Sequence, residues 1–299
     1  MDERDYRVVL ELTRNPFASC EAIGREVGMT GTAVRARVDS MEARGVLNGY
    51  HVLPSPRVFG RWRHIFAYRD VAPEPSLTTL LGMENAVAVF RGSPGMIMVN
   101  TYDLEVDAGP PAALVKLIGR APDGAVLTDD PGEGRPPNLV LSPLDWRVIA
   151  ALLDDPRAPL AELARATRLT ARTVRKRRDD LVRKGLLHVS PIVDTSREPG
   201  LIVFSGYVMV ERKSDLERIQ APGLGWVWTH HDPPAAAFFG RAATYGEVQE
   251  TQRSLQSIRG VLHVDLTVAR GGGIASRRLH RWIRAELKPW NRSRKRRDA

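Results

Sequence analysis

The sequence predicts an α+β protein made of two similar halves, each with three short helices followed by an antiparallel sheet of βαββαβ order. Three observations predict this fold class. Residues 5–47 match residues 145–187 at a constant offset of 140 residues without a gap. Each copy carries apolar residues at helical spacing, and each is followed by short apolar runs that are typical of strands. A gapless internal match indicates one structural unit that is present twice.

Identical residues in the two copies fall where a helix begins, turns or ends. Thr30 and Thr170 each precede a helix, where a side-chain oxygen accepts a hydrogen bond from a first-turn N–H group. Gly45 and Gly185 each end that helix, because glycine adopts left-handed backbone angles at little cost. The matching pairs are Asp5/Asp145, Arg7/Arg147, Val8/Val148, Pro16/Pro156, Thr30/Thr170, Val34/Val174, Arg35/Arg175, Arg37/Arg177, Gly45/Gly185 and Leu47/Leu187.

In the second copy, the helices can be placed in order. Ser142-Pro143 opens the first helix, since serine is a good N-cap and proline suits the first helical position. A second helix is expected over about residues 159–168 and a third over about residues 171–184. On a helical wheel, Val174 and Leu181 share the inward face of the third helix, and the basic residues lie on the other faces. The first copy follows the same plan, with its first helix at residues 3–13.

Strands and helices alternate after each copy. After the first copy, strands are predicted at 64–68, 86–90, 96–100 and 125–128, with helices at 76–83 and 111–120. After the second copy, strands are predicted at 201–210, 226–229, 236–239 and 261–268, with helices at 214–219 and 245–258. This order gives an antiparallel sheet with helices on one face. Residues 46–53 and 189–193 are expected to form wing hairpins, and Gly271-Gly272-Gly273 is expected to end the second sheet.

The helical residues resemble a known family. The order Asp5 to Leu12, Ile23 to Val27, Thr30, Val34 to Val38 and Gly45 to Leu47 is similar to that of the Lrp/AsnC (feast/famine) transcriptional regulators. The resemblance implies winged helix-turn-helix units, each followed by a ferredoxin-like domain that forms dimers and often binds an amino acid or another small effector. One residue departs from this pattern. Arg178 stands at the inward position of Val38, so either it extends outward along its stem or the helix is rotated.

The resemblance and the composition together predict the domain boundaries. They give a winged helix-turn-helix unit at 1–60, a ferredoxin-like domain at 61–130, a linker at 131–141, a second winged helix-turn-helix unit at 142–199, a second ferredoxin-like domain at 200–272, and a basic helix and tail at 273–299. The linker is predicted from its Asp, Pro, Gly, Glu and Arg content. We expect the two halves to pair within one chain as a pseudo-dimer, or between chains as a homodimer.

Basic residues concentrate in the second half. The chain has a net charge of +9, to which residues 157–188 contribute +7 and residues 277–299 contribute +8, whereas residues 1–50 contribute −1. Clustered cations of this kind are what phosphate binding requires.

Both third helices are candidates for DNA contact, because the N-terminal half of a recognition helix reaches base edges. In the first copy, Ala36 and Asp39 leave that helix nearly neutral, so we expect a weaker or differently specific reader, or an architectural element. A solvated charged face is the alternative for both copies. The candidates are Arg172, Thr173, Arg175, Lys176 and Arg177 in the second copy and Thr32, Arg35 and Arg37 in the first.

The C-terminal segment is basic and amphipathic. It is open to three interpretations, namely a nonspecific DNA arm, a helix that packs on a neighbour, and a membrane-surface helix. The helix is expected to end at Pro289, and residues 293–297 are expected to be disordered. Its apolar stripe consists of Leu279, Trp282, Ile283 and Leu287.

We predict no catalytic site, metal site or cofactor. The single cysteine, Cys20, cannot form an internal disulfide or a cysteine metal site. No paired-carboxylate, phosphate-loop or nucleophile motif is present in the sequence. Hairpin residues are expected to line a pocket for a small-molecule effector such as an amino acid, and ordinary turns are the alternative. These residues are Gly92, Gly95, His230, His231 and Asp232.

The sequence therefore predicts a sequence-specific transcriptional regulator of the Lrp/AsnC type that binds double-stranded DNA. Two alternatives stay open, an architectural DNA-binding protein with little sequence preference and an enzyme similar to the sirohaem decarboxylases, which resemble this architecture. No run of 18 apolar residues and no N-terminal signal region is present, which predicts a cytoplasmic protein without a membrane partner.

Overall fold

The computed structural model describes residues 1–93, 95–128, 140–194, 202–216, 219, 225–231 and 234–295. Nearly all of the predicted linker and the predicted effector residue Asp232 lie outside these residues. Within them, no helix is long and apolar enough to cross a membrane.

The order of elements agrees with the sequence prediction, and the α+β fold class is confirmed. The helices are α1 (Glu3–Arg14), α2 (Cys20–Val27), α3 (Gly31–Ala43), α4 (Leu77–Gly82), α5 (Ala112–Ile118), α6 (Pro143–Asp154), α7 (Leu160–Thr167), α8 (Ala171–Arg183), α9 (Lys213–Leu216), α10 (Tyr245–Gln256) and α11 (Ser276–Lys295). The strands are β1 (Leu47–Pro54), β2 (Trp62–Tyr68), β3 (Ala86–Ser93), β4 (Met96–Asp103), β5 (Gly124–Thr128), β6 (Leu187–Val193), β7 (Ile202–Val210), β8 (Gly225–His231), β9 (Pro234–Ala242) and β10 (Val261–Ile274).

Helices α1–α3 form the first unit, and helices α6–α8 form the second unit. Each unit has its own apolar core, which contains Val34 in the first and Val174 in the second, both fully buried. The predicted caps are present, since the hydroxyls of Thr30 and Thr170 accept hydrogen bonds from the third residue of the helix that follows each of them. The matching cap and core positions give the two units the same shape.

The expected wing hairpins are not formed, which corrects the sequence prediction. Strand β1 leaves the first unit and pairs antiparallel with β6, which leaves the second unit, so that Leu53 lies opposite His188 and His51 opposite Ser190. Strand β1 ends at Pro54 and is followed by a 3-10 helix, so it has no neighbouring hairpin partner in sequence. We call this two-stranded sheet the ribbon. It joins the two units within one chain.

The remaining strands form one eight-stranded sheet in the order β5-β2-β4-β3-β10-β7-β9-β8. Each half of this order is the same ferredoxin-like permutation, because the fourth, first, third and second strands of each βαββαβ segment follow one another. The helices cover one face of each half, where Leu80 and Leu114 pack in the first core and Val248 and Leu255 in the second. Pairing of β3 with β10 joins the halves, so the predicted pseudo-dimer is formed within the chain.

The three glycines at 271–273 do not end the second sheet as predicted. Strand β10 continues through them to Ile274, and Gly272 and Gly273 lie opposite Phe90 and Val89 of β3. A Cβ atom on Gly272 would collide with the carbonyl oxygen of Val89, and one on Gly273 would meet Leu81 at 2.9 Å. Glycine is therefore needed at position 272, where the backbone of β3 approaches closely, whereas at position 273 the neighbouring leucine side chain could shift.

The eight-stranded sheet curls so that its edge strands β5 and β8 come into contact. A Cβ atom on Gly124 of β5 would lie 3.6 Å from the hydroxyl of Tyr207 on β7. Arg69, at the end of β2, donates to the carboxylate of Asp265 on β10 at 2.5 Å. The two half-sheets therefore face each other, and the helices lie outside.

The C-terminal helix α11 packs within its own chain. Leu279 and Ile283 are buried, and Trp282 contacts Phe59 at 5.4 Å between ring centroids. Ile283 and Leu287 join the core of the second unit. The helix runs past Pro289 to Lys295, which corrects the predicted end. A proline inside a helix removes one backbone hydrogen bond and can kink the helix without ending it. Residues 293–295 are thus helical, and residues 296–299 lie outside the described part.

Candidate nucleic-acid interface

The outward face of α8 is strongly basic. Arg172, Arg175 and Lys176 are exposed, whereas Val174 and Leu181 on the same helix are buried. The predicted inward and outward faces are therefore those that the structure has. Thr173 is half-buried, and its hydroxyl lies 2.8 Å from that of Thr170, so it belongs to the capping arrangement at the start of the helix.

The corresponding face of α3 carries little charge. Thr32 and Arg35 are exposed as expected, and exposed Ala36 and Asp39 follow them. Residues 17–48 have a net charge of zero, whereas the equivalent residues 157–188 have a net charge of +7. The two units therefore offer a DNA backbone very different electrostatic attraction.

Two of the predicted DNA contacts are engaged inside their own unit. The guanidinium of Arg177 donates to Asp145 at 2.7 Å and to Ser142 at 3.0 Å. These acceptors also form the capping box of α6. Since the guanidinium ties α8 to α6, Arg177 is not directed outward as a base-reading side chain.

Arg37 occupies the same place in the first unit. Its guanidinium donates to Asp5 at 2.6 Å and to Asp2 at 2.7 Å, which form the capping box of α1. Hydrogen bonds to the two carboxylates raise the pKa of Arg37, so its charge is fixed within the unit. The equivalent pairs show that this arginine serves the fold of both units.

Arg178 connects the two units, which settles the question raised by its inward position. Its guanidinium lies 4.1 Å from the ring centroid of Phe17, and it pairs with Asp179 at 2.8 Å. The side chain thus extends out of the second unit onto the first unit, and α8 keeps its predicted rotation. Arg157 makes a second link, since it donates to the Tyr50 hydroxyl at 2.6 Å.

Arg168 is a candidate that the sequence reasoning missed. It ends α7 in the left-handed conformation, with φ of 55°, and its side chain is exposed beside the start of α8. Gly28 holds the equivalent position in the first unit, with φ of 69°. A non-glycine residue in this conformation is uncommon and costs roughly 1–2 kcal/mol. The match of Arg168 with Gly28 at the 140-residue offset was the signal that could have found it.

The two glycines among the predicted effector residues lie in close packing. A Cβ atom on Gly92 would collide with Thr267, and one on Gly95 would lie 2.8 Å from the backbone nitrogen of Val71. Both glycines are therefore packed against the chain. His230 and His231 lie in β8, opposite Ala235 and Pro234. No group of three or more residues able to hold a metal ion occurs within the described ranges.

Comparison with known proteins agrees with the helix-turn-helix geometry. A family model described as an AsnC-type helix-turn-helix domain matches residues 1–42, and one described as winged helix-turn-helix DNA-binding matches residues 141–187. An uncharacterized HTH-type transcriptional regulator of Pyrococcus horikoshii is 31% identical over 97 residues, which are 30% of this chain and 63% of that protein. The HTH-type transcriptional regulator LrpA of the same organism is 36% identical over 78 residues, which are 25% of this chain and 52% of that protein.

Solved structures give a likeness of the whole chain as well as of its halves. The crystal structure of the siroheme decarboxylase NirDL matches 96% of this chain and 99% of its own, with 11% identity and a TM-score of 0.45. An AsnC family transcriptional regulator from Agrobacterium tumefaciens matches 48% of this chain and 97% of its own, with 16% identity and a TM-score of 0.30. The chain spans less than two thirds of the length of the curated relatives that it matches. In its matched helix-turn-helix units, the chain is thus similar to transcriptional regulators of the Lrp/AsnC type.

Proposed function

We propose that this chain is a sequence-specific DNA-binding transcriptional regulator of the Lrp/AsnC type, in which the second unit supplies most of the affinity for DNA. The observation that carries the proposal is the exposure of Arg172, Arg175 and Lys176 on the N-terminal half of α8, above a buried apolar face. In a helix-turn-helix unit this half of the recognition helix enters the major groove. A DNA partner also places the protein in the cytoplasm, with the chromosome.

The proposal divides the work among these side chains. Arginine donates two parallel hydrogen bonds to guanine in the major groove, so Arg172 and Arg175 are the proposed base readers. Lys176, which has a compact charge, is the proposed phosphate contact, together with the exposed Arg168. The first unit adds Thr32 and Arg35 at a lower affinity. Because the ribbon and the joined sheet fix both units in one chain, the proposed operator has two unequal half-sites.

The test is a binding titration of the full chain against fluorescent DNA from its own upstream region and against random DNA of equal length, across a salt series. We expect tighter binding to the upstream DNA and a loss of this preference in the Arg172→Ala/Arg175→Ala variant. The matched control is Arg212→Ala/Arg259→Ala, which also removes two arginines, but from the second sheet domain. Equal binding of both DNAs by the wild type, with a steep salt slope, would favour the architectural alternative.

The proposal assigns no catalytic activity to the chain. The enzyme alternative is tested by incubating the protein with sirohaem under anaerobic, reducing conditions and following the products by mass spectrometry. Loss of carbon dioxide from the tetrapyrrole, at a rate that depends on protein concentration, would contradict the proposal.

A further inference from the structure

A cavity of about 450 Å³ lies inside the curled sheet, beneath the ribbon. We call it the sheet cavity. Strands β2, β4 and β7 provide its floor, β1 and β6 its roof, and α1 one side. Cavities of this size hold small organic ligands. Among the residues that the structure describes, none of the predicted DNA-contacting or effector-binding residues lines it.

Polar side chains from both halves of the chain meet in the sheet cavity. The ribbon contributes His51 and His188. Both lie on the same face of the ribbon, because His188 is paired with Leu53, which is two residues after His51 on the same strand. Strand β2 contributes Arg63, β4 contributes Asn100, and β7 contributes Tyr207. Neither half alone has this set of groups, so the site exists only in the paired arrangement.

Asn100 has a donor without a partner. Its side chain is only 2% exposed, and its amide nitrogen makes no hydrogen bond within the described part of the chain. A buried polar group left unsatisfied costs roughly 1–3 kcal/mol. Such a group in a folded protein calls for an explanation, and a bound acceptor oxygen would provide one. The amide nitrogen itself has almost no accessible surface, so an acceptor inside the sheet cavity, which Asn100 lines, would reach it after a small rotation of the side chain.

The charged and hydrogen-bonding residues that line the sheet cavity indicate the charge of the ligand that it would bind. Its lining includes Arg63 and Arg91, together with Arg14, which pairs with Glu11 at 2.7 Å. None of the described residues that line it is an aspartate or a glutamate. Burial lowers the pKa of His51 and of His188 to about 4, and Arg63 adds to the effect on His188. Both imidazoles are therefore neutral at pH 7, and each has one N–H donor. These donors and cations favour an anion and disfavour a ligand ammonium group.

Most of the remaining lining is apolar. An anion alone would leave these side chains without a partner, so the fitting ligand has an apolar body. They include Leu53, Ile65, Phe90, Met98 and Val203.

From this geometry we infer that the sheet cavity binds an organic anion, with a carboxylate held by Asn100 and Arg63 and an apolar body packed beneath the ribbon. The ligand lacks a cationic group, which distinguishes it from a free α-amino acid. The inference concerns a site that none of the proposed DNA-contacting side chains lines, and it holds whether or not the chain binds DNA.

The test uses three compounds that share one apolar body. They are 3-phenylpropionate, L-phenylalanine, which adds an ammonium group, and 3-phenylpropanamide, which removes the charge. With the full chain, we expect saturable calorimetric binding of 3-phenylpropionate and shifts of two imidazole proton resonances, which His51→Gln and His188→Gln assign. The other two compounds are expected to bind at least tenfold more weakly. The inference is overturned if the amide binds as well as the acid, or if 3-phenylpropionate, 4-methylpentanoate and octanoate all fail to bind.

Two variants locate the binding. Asn100→Asp keeps the shape of the side chain but places a negative charge in the sheet cavity, so we expect at least a tenfold loss of affinity for 3-phenylpropionate. Asn48→Asp makes the same change at an exposed position and should have no effect. Ser205→Leu fills part of the sheet cavity without adding charge, which keeps the test available if Asn100→Asp does not fold. Unchanged affinity in the folded variants would overturn the inference.

DNA binding is followed in parallel, so that this inference and the proposed function can fail separately. The Arg172→Ala/Arg175→Ala variant should keep the full affinity for 3-phenylpropionate, because its substitutions lie on the exposed face of α8.

Discussion

The first and second units share their interior contacts and differ on their outer faces. In both units a threonine hydroxyl caps the third helix, a fully buried valine faces inward, and an arginine ties the third helix to the capping box of the first. Residues 17–48 of the first unit sum to no net charge, whereas the equivalent residues 157–188 of the second unit sum to +7. The same scaffold therefore presents one neutral and one basic face.

This difference separates the residues that hold a helix-turn-helix unit together from the exposed residues that could contact DNA. Arg37 and Arg177 match in sequence and are both engaged inside their units. Thr32 and Arg172 stand at equivalent positions but differ in charge, and both are exposed. Arg37 and Arg177, which are engaged inside their units, are thus structural, whereas exposed basic residues, of which the second unit has more, are the candidates for DNA contact.

Exchanging the outer residues between the units tests this comparison with the largest expected effect. The change Arg172→Thr/Lys176→Ala gives the second unit the residues of the first. We expect its DNA affinity to fall by about 30-fold or more, since the base contact of Arg172 contributes roughly 1–3 kcal/mol and the phosphate contact of Lys176 is lost as well. The reverse change, Thr32→Arg/Ala36→Lys, should raise the affinity and steepen the salt slope by up to about 2. Both are measured by fluorescence anisotropy.

The exchange has a built-in control. Each variant keeps every buried residue of its unit, so the melting temperatures of both should stay close to that of the wild type. If the reverse change leaves DNA affinity as it was, the first unit does not approach the DNA, and charge alone does not explain the difference between the units.

The strands that leave the two units carry His51 and His188, and they make stability depend on pH. Burial lowers the pKa of both to about 4, whereas a histidine in an unfolded chain titrates near 6.5. Between these values the unfolded state binds more protons, so stability is full above about pH 6.5 and falls as the pH drops toward 4. The loss is at most about 1.4 kcal/mol per pH unit for each histidine.

Urea unfolding of the wild type and of His51→Gln/His188→Gln at a series of pH values measures this effect. We expect the variant to show a weaker pH dependence between pH 6.5 and 4.5. Parallel curves for the two proteins would mean that these imidazoles take up protons in the folded chain.

Arg177→Met and Arg37→Met separate the structural arginines from the DNA-reading ones. Arg177→Met leaves the half-buried Asp145 without its cation, and we expect the free energy of unfolding to fall by about 1–3 kcal/mol. Arg37→Met should cost less, because Arg44 lies 3.4 Å from the same Asp5 carboxylate. The control is Arg183→Met, which breaks an exposed pair and should change stability by less than about 1 kcal/mol.

Denaturant unfolding gives these stabilities, and anisotropy on the folded proteins gives the DNA affinity. A loss of DNA affinity in Arg177→Met as large as that in Arg172→Ala/Arg175→Ala would contradict a purely structural role.

Local signals in the sequence predicted much of the fold. They could not predict which strands pair when the strands are far apart in the sequence. Caps, turns and helical periodicity are local, so the helices of both units and the outward position of Arg172, Arg175 and Lys176 were predicted. The pairing of β1 with β6 joins segments about 140 residues apart, and no local pattern distinguishes it from a hairpin. Three consecutive glycines at 271–273 are typical of the end of a strand. Strand β10 continues through them because it pairs closely with β3.

The sheet cavity escaped prediction for the same reason. His51, Arg63, Asn100 and Tyr207 come from four strands, and no spacing in the sequence relates them. The sequence instead pointed to adjacent histidines and hairpin glycines, because these are the groups that proximity along the chain reveals.

The contact of Arg178 with Phe17 joins the two units, and a double-mutant cycle measures its strength. A cation over an aromatic ring contributes about 0.5–2 kcal/mol, depending on exposure. We therefore expect Arg178→Ala and Phe17→Ala to be coupled by an amount in this range. Exposed Arg175→Ala should show no coupling with Phe17→Ala, which provides the control. Absence of coupling in the first pair would mean that the units are held together by the ribbon and Arg157 without this contact.

The smallest expected effect concerns the turn before each third helix, where Gly28 and Arg168 share the left-handed conformation. Replacing Arg168 with glycine removes strain of roughly 1–2 kcal/mol but adds freedom to the unfolded chain that costs about 0.5–1 kcal/mol, so we expect a net gain of about 0.5–1 kcal/mol. Gly28→Ala should cost about 1 kcal/mol, since nothing lies within 4 Å of the added Cβ atom and the backbone angle alone opposes it.

The DNA affinity of Arg168→Gly tests whether the arginine in this strained conformation contributes to DNA binding. A cation that contacts a phosphate adds about 0.9 to the salt slope, so we expect this variant to be more stable than the wild type, to bind DNA a few-fold more weakly and to show a shallower slope. Higher stability with unchanged affinity and slope would mean that Arg168 does not contact DNA. The difference between the two turns would then have no part in the unequal binding of the two units.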